Sequence, residues 1–123
     1  MGKTEIRVEP VEAFFERGRR YARLADRGAR IPPSRIVAFE DAESLLHVLT
    51  EKRVSLLREI KQTPASIAAL ARKLKRDRSA VVRDIQLLER FGVIEVTEKV
   101  LPGHGKQKWV TPVGREIRLT AEL

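Results

Sequence analysis

Residues 66–94 constrain the fold more than any other stretch. Ser66-Ile-Ala-Ala-Leu-Ala-Arg-Lys-Leu74 carries apolar residues at helical spacing. Lys75-Arg-Asp-Arg78 interrupts the pattern. Val81, Ile85 and Leu88 then recur at i, i+4 and i+7, and Gly92-Val-Ile94 leads into a segment of period two. Two short amphipathic helices a few residues apart, followed by a β-rich segment, read as a helix-turn-helix with a trailing hairpin. Such a unit places its second helix in the major groove of a DNA duplex.

Composition points to the same partner. Over 123 residues the formal net charge is +8, and 34% of the residues are charged. The excess is uneven. Residues 61–90 carry eight cations and three anions, whereas residues 1–50 carry nine and eight. A basic stretch on the suspected helix-turn-helix favours an anionic partner, with nucleic acid ahead of an anionic membrane. There is no cysteine, which excludes disulfides, cysteine zinc sites and thiol nucleophiles. No apolar run approaches the roughly 20 residues of a membrane span. The first twelve residues alternate charged and apolar side chains and lack a signal-peptide core, so a cytoplasmic location is expected.

The rest of the chain resolves into short elements. Glu5-Ile-Arg-Val8 suits a strand. Pro10 opens a helix that Gly28 ends, with Val11, Phe14, Gly18, Tyr21 and Ala25 predicted to form one face. Ile31-Pro-Pro-Ser34 reads as a linker, and Arg35–Glu40 as a strand. Asp41 caps a helix with Leu45, Leu46 and Leu49 inward. Thr50 opens another with Val54, Leu56, Leu57 and Ile60 inward. Strands are predicted over 94–100, 106–111 and 116–120, the first two joined by Leu101-Pro-Gly-His-Gly105. The expected fold is mainly α with a small β-hairpin or sheet: a winged helix-turn-helix over residues 31–123. Residues 1–30 would form an N-terminal helical extension for dimerisation or partner binding.

The candidate site lies on the second helix, its turn and the hairpin. Ser79, Ala80, Val82, Arg83 and Gln86 are expected to point away from the core. Arginine forks onto guanine O6 and N7, glutamine onto adenine N6 and N7, and small apolar groups accept a thymine methyl. Arg83 and Gln86 are therefore the base-contact candidates. Arg72, Lys73, Lys75, Arg76 and Arg78 crowd the turn and are assigned to phosphates. His104, Lys106 and Lys108, with Lys99, would form a basic wing. Trp109 is expected to pack the wing onto the helices. His47 and His104 do not make a metal site, and no nucleophile elbow, metalloprotease helix or phosphate loop is present. The chain is thus expected to be no enzyme and to need no cofactor.

From Phe39 onward the chain resembles a family of short winged helix-turn-helix proteins of archaea and bacteria, predicted transcriptional regulators or antitoxin-like DNA-binding proteins. The likeness spans about residues 36–119. It rests on Phe39-Glu-Asp, Leu45-Leu46-x2-Leu49-Thr50-x2-Arg53-x2-Leu56-Leu57, and Ser66-Ile-x2-Leu70-Ala71-x2-Leu74-x-Arg76-Asp77. Val81-Val-Arg-Asp84-Ile-x2-Leu87-Leu88-Glu89 and Gly92-Val-Ile94 complete it. The helix-turn-helix itself is shared with MarR-type and ArsR-type regulators. The family pattern usually has glycine where Lys75 stands. The resemblance implies DNA-binding regulation. A homodimer on an inverted repeat is the first expectation. The alternative is a protein-interaction module, such as an antitoxin that binds its toxin through the N-terminal helix.

Overall fold

The computed structural model describes residues 2–30 and 34–121, so the linker reading at 31–33 lies outside the described residues. The chain divides into two compact units.

The first unit combines residues up to Val48 with those from Gly114 onward. It holds β1 (Lys3–Val8), α1 (Val11–Asp26), β2 (Ser34–Phe39), α2 (Ala42–Val48) and β6 (Glu116–Thr120). Its sheet has the order β2-β1-β6, and β1 runs parallel to both neighbours. Ile6 pairs with Val37 on one side and Leu119 on the other. Thr4 and Ile6, two residues apart and so on one face of the central strand, are fully buried. α1 is the crossover of a β-α-β unit, which parallel strands require, so the residues before 30 are more than a helical extension. Gly114 allows β6 to join: at φ +83°, a Cβ there would stand 2.4 Å from the Gly2 carbonyl oxygen. The Arg115 amide donates to that same oxygen at 2.9 Å.

One packing expectation fails in this unit. Leu46 was expected inward but is 65% exposed. Its neighbour Leu45 takes the buried position, because seven residues of α2 have room for a narrow inward stripe only. On α1 the buried residue is Arg17, while Val11, Phe14 and Phe15 are exposed. The face toward β1 and β2 is instead Ala13, Arg17 and Tyr21, which share a hollow with Arg7 and Ile36. Arg17 is held there by Glu9, its Nη1 donating to Oε2 at 2.9 Å and its Nη2 to Oε1. This bidentate pair holds Glu9 below the usual carboxylate range: the Arg17 hydrogen bonds outweigh the opposing effect of burial.

The second unit runs from Leu49 to Val113. It contains α3 (Glu51–Gln62), β3 (Ala65–Ser66), α4 (Ile67–Leu74), α5 (Arg78–Arg90), β4 (Ile94–Leu101) and β5 (Gly105–Pro112). β5 pairs antiparallel with both β3 and β4. Hydroxyls start two of the helices: Thr50 Oγ1 accepts from the Arg53 amide, and Ser66 Oγ from the Ala69 amide. The apolar faces of α3, α4 and α5 converge on one core. Leu56, Ile60, Leu70, Val81, Ile85, Leu88 and Val110 are each at most 2% exposed. Val54, expected inward with them, is half-buried.

With five helices and two three-stranded sheets, the described chain is mixed α/β, whereas a mainly α chain was expected. The parallel sheet of the first unit makes the difference. Its strands come from both ends of the chain.

Candidate nucleic-acid interface

The turn between α4 and α5 is tight because Lys75 adopts a left-handed conformation, φ 54° and ψ 46°. The Lys75 amide donates to the Arg72 carbonyl at 3.2 Å, and the Arg76 amide to that of Ala71 at 3.0 Å. These bonds close α4 and let the chain reverse. A left-handed lysine costs about 1–2 kcal/mol relative to ordinary backbone. A glycine there would avoid that cost. Lysine instead keeps a cation on the turn.

α5 presents two faces. Val81, Ile85 and Leu88 are buried as their spacing predicts. Asp84 is buried with them, at 8% exposure. A carboxylate on that face requires partners, and two arginines supply them. Arg53 Nε, from α3, donates to Oδ1 at 2.9 Å. Arg76 Nη2, from the turn, donates to Oδ2 at 2.7 Å. One carboxylate thus ties α3, the turn and α5 together. Burial pushes the Asp84 carboxyl up, but the hydrogen bonds and charges of Arg76 and Arg53 hold it below its ordinary value of 3.8.

The opposite face is open. Ser79, Arg83 and Gln86 are exposed, and Ala80 and Val82 are half-buried beside them. Ser79 Oγ donates to Asp77 Oδ2 at 2.6 Å. Arg83 and Gln86 make no hydrogen bond or ion pair among the described residues. Arg72, Lys75 and Arg78 are likewise exposed and without such partners among the described residues. Lys73 reaches Glu59, yet its side chain remains 60% exposed. Arg76 departs from its expected role. Its side chain is 16% exposed and committed to Asp84, so it fixes the turn and presents little charge outward.

The hairpin brings a second set of cations forward. Pro102, Gly103 and His104 form the tip, closed by the His104 amide on the Leu101 carbonyl at 3.0 Å. His104, Lys106 and Lys108 are exposed. Lys99 Nζ stands 4.1 Å from the centre of the half-buried Trp109 ring, which steadies the hairpin by a cation–π contact.

Sequence reasoning missed the part played by Arg53 and Asp84. A signal was present: Asp84 falls three residues after Val81 on a face otherwise reserved for aliphatic side chains.

The HVO_A0114 family model matches residues 48–116, more than half of the chain. The chain belongs to the HVO_A0114 family. In this HVO_A0114 member the matched region coincides closely with the second unit. No curated protein matches the chain. Among solved structures it is similar to a possible transcriptional regulator from Methanosarcina mazei Go1. The identity is 18% over 63% of this chain and 68% of that one, with a TM-score of 0.50. HlyU from Vibrio cholerae N16961 is 17% identical over 62% of this chain and 83% of that one, with a TM-score of 0.47. At the identity of the Methanosarcina protein the likeness concerns the fold. It agrees with the helix–strand–helix–helix–hairpin order of a winged helix. No helix among the described residues is long and apolar enough to cross a membrane.

Proposed function

We propose that this HVO_A0114 family member is a sequence-specific regulator of transcription that binds double-stranded DNA with α5 in the major groove. One observation carries the reading. α5 is pinned on one side by Val81, Ile85, Leu88 and the Asp84 clamp, and offers Arg83 and Gln86 to solvent on the other. A reading helix needs this combination of rigidity and unsatisfied outward donors. Arg83 and Gln86 contact base edges. Ser79, Ala80 and Val82 line the same approach. Arg72, Lys73, Lys75 and Arg78 neutralise phosphates, and His104, Lys106 and Lys108 follow the backbone beside the hairpin. The Methanosarcina protein of similar fold is described as a possible transcriptional regulator, which supports the assignment.

The working form is a cytoplasmic homodimer that acts as a repressor or autoregulator on an inverted repeat. Selection of bound duplexes from a random pool at near-physiological salt tests the reading. Enrichment of an inverted repeat, with a position that relaxes in Arg83→Ala, supports it. A pool that stays unenriched rejects it. A second reading, an antitoxin-like module that binds a toxin through α1, draws on the exposed Phe14 and Phe15. Sedimentation of the purified chain separates the two: a stable dimer favours the first, a monomer the second.

A further inference from the structure

α1 carries a second stripe beside the one that faces β1 and β2. Val11, Phe15, Gly18, Ala22 and Ala25 recur at intervals of 4, 3, 4 and 3, and all five are exposed. That interval is the seam of paired helices. Among the described residues the seam has no occupant. Phe15 is 56% exposed, and a Cβ on Gly18 would meet nothing within 4 Å. Glycine inside a helix costs about 1 kcal/mol relative to alanine, and no contact among the described residues requires it.

We propose that this seam pairs antiparallel with α1 of a second copy, with the two-fold axis at Gly18. The inference deepens the dimer part of the regulator reading and rests on it. Three features select the occupant and its direction. Gly18 is the eighth of sixteen helical residues, so an axis there places it against itself and lets the two backbones approach closely. Around that axis size is complementary: Val11 stands level with Ala25 of the second copy, and Phe15 within one residue of its Ala22. A parallel pair would set Phe15 against Phe15 and leave a gap at Ala22. Charge is complementary as well. The first half of α1 holds Glu12 and Glu16 beside Arg17, which Glu9 neutralises, and the second half holds Arg19, Arg20 and Arg23 against one acid, Asp26. The axis brings Glu12 within one residue of Arg23 of the second copy, and Glu16 within one residue of its Arg19. Parallel pairing would oppose like charges and like helix dipoles. Glu16 already holds Arg19 at 2.9 Å within the protomer, on side chains that are 61% exposed, so a closed network of four charges forms across the axis.

Sedimentation equilibrium of the full chain without DNA tests this. The wild-type chain is expected to be dimeric. Phe15→Glu should weaken association by about a hundredfold or more, because every substitution acts twice in a symmetric contact. A charge reversal within one chain provides the orientation test. Glu12→Arg should weaken the dimer by opposing Arg23 of the second copy, and adding Arg23→Glu to the same chain should restore it, whereas in a parallel pair positions 12 and 23 never meet and the second change would not restore association. Circular dichroism of each variant should retain the helix, since the altered side chains are exposed. A monomeric wild type, an unchanged constant for Phe15→Glu, or no recovery when Arg23→Glu is added to Glu12→Arg would overturn the proposal. A monomeric wild type also counts against the dimeric working form, whereas the other two outcomes leave the DNA reading untouched, which Arg83→Ala tests on its own.

Discussion

Asp84→Asn should unlock the reading helix while leaving its outward side chains intact. The carboxylate is 8% exposed and receives two charge-assisted hydrogen bonds, at 2.9 and 2.7 Å. Each such bond contributes about 1.5–3 kcal/mol. Breaking a buried pair costs about 3–5 kcal/mol, since the abandoned charge stays desolvated. Here Arg53 and Arg76 keep 24% and 16% exposure, so water recovers part of the loss. Asparagine preserves shape and one acceptor. We therefore expect a loss of about 3 kcal/mol, at the lower end of the range. Urea unfolding followed through the single tryptophan, Trp109, reports on the second unit directly. The sign of the pH effect is fixed as well. The Asp84 carboxyl lies below its ordinary 3.8 in the folded protein, so its contribution is full above that value and lost as pH falls through the folded value. The asparagine variant should lose that part of the acid transition. A destabilisation below about 1 kcal/mol, or an unchanged acid limb, would refute the clamp.

Arg83→Ala should cost about 1–3 kcal/mol in binding to the selected duplex and relax one base position, which selection with the variant reads directly. Lys106→Ala should weaken binding evenly across sequences and reduce the salt slope by about 0.9, as measured by titrations at several salt concentrations. Lys75→Gly should stabilise the second unit by about 0.5–1 kcal/mol in urea unfolding, because glycine accepts the left-handed φ of 54° without strain. Glu9→Gln should cost about 3 kcal/mol in the first unit by leaving Arg17 buried and half-paired, which amide exchange in Lys3–Val8 reports.

Local signals in the sequence located most elements. Ser66 and Thr50 start their helices as hydroxyl caps do, and the change of period after Gly92 marks the hairpin. The inner face of α5 was equally legible, because Val81, Ile85 and Leu88 fit one helical stripe only. Non-local pairing was not. β6 joins β1 from the far end of the chain, and nothing in Glu116–Thr120 names its partner or its direction. α1 was ambiguous for another reason: it carries two stripes. The expected face ran through Phe14 and Tyr21, yet the stripe toward the sheet is Ala13, Arg17 and Tyr21, since Glu9 neutralises the arginine that it buries. Arg76 shows the same limit. Its position in a basic turn suggests phosphate, and only the three-dimensional neighbourhood of Asp84 shows where its charge goes.

The most direct test of the central claim is an NMR titration of the chain with its selected duplex, following backbone amides. The largest shifts should fall on residues 78–86, with a second group in the hairpin tip at 102–108. Shifts concentrated on α1 and its sheet, with residues 78–86 unmoved, would contradict the assignment of α5 as the reading helix.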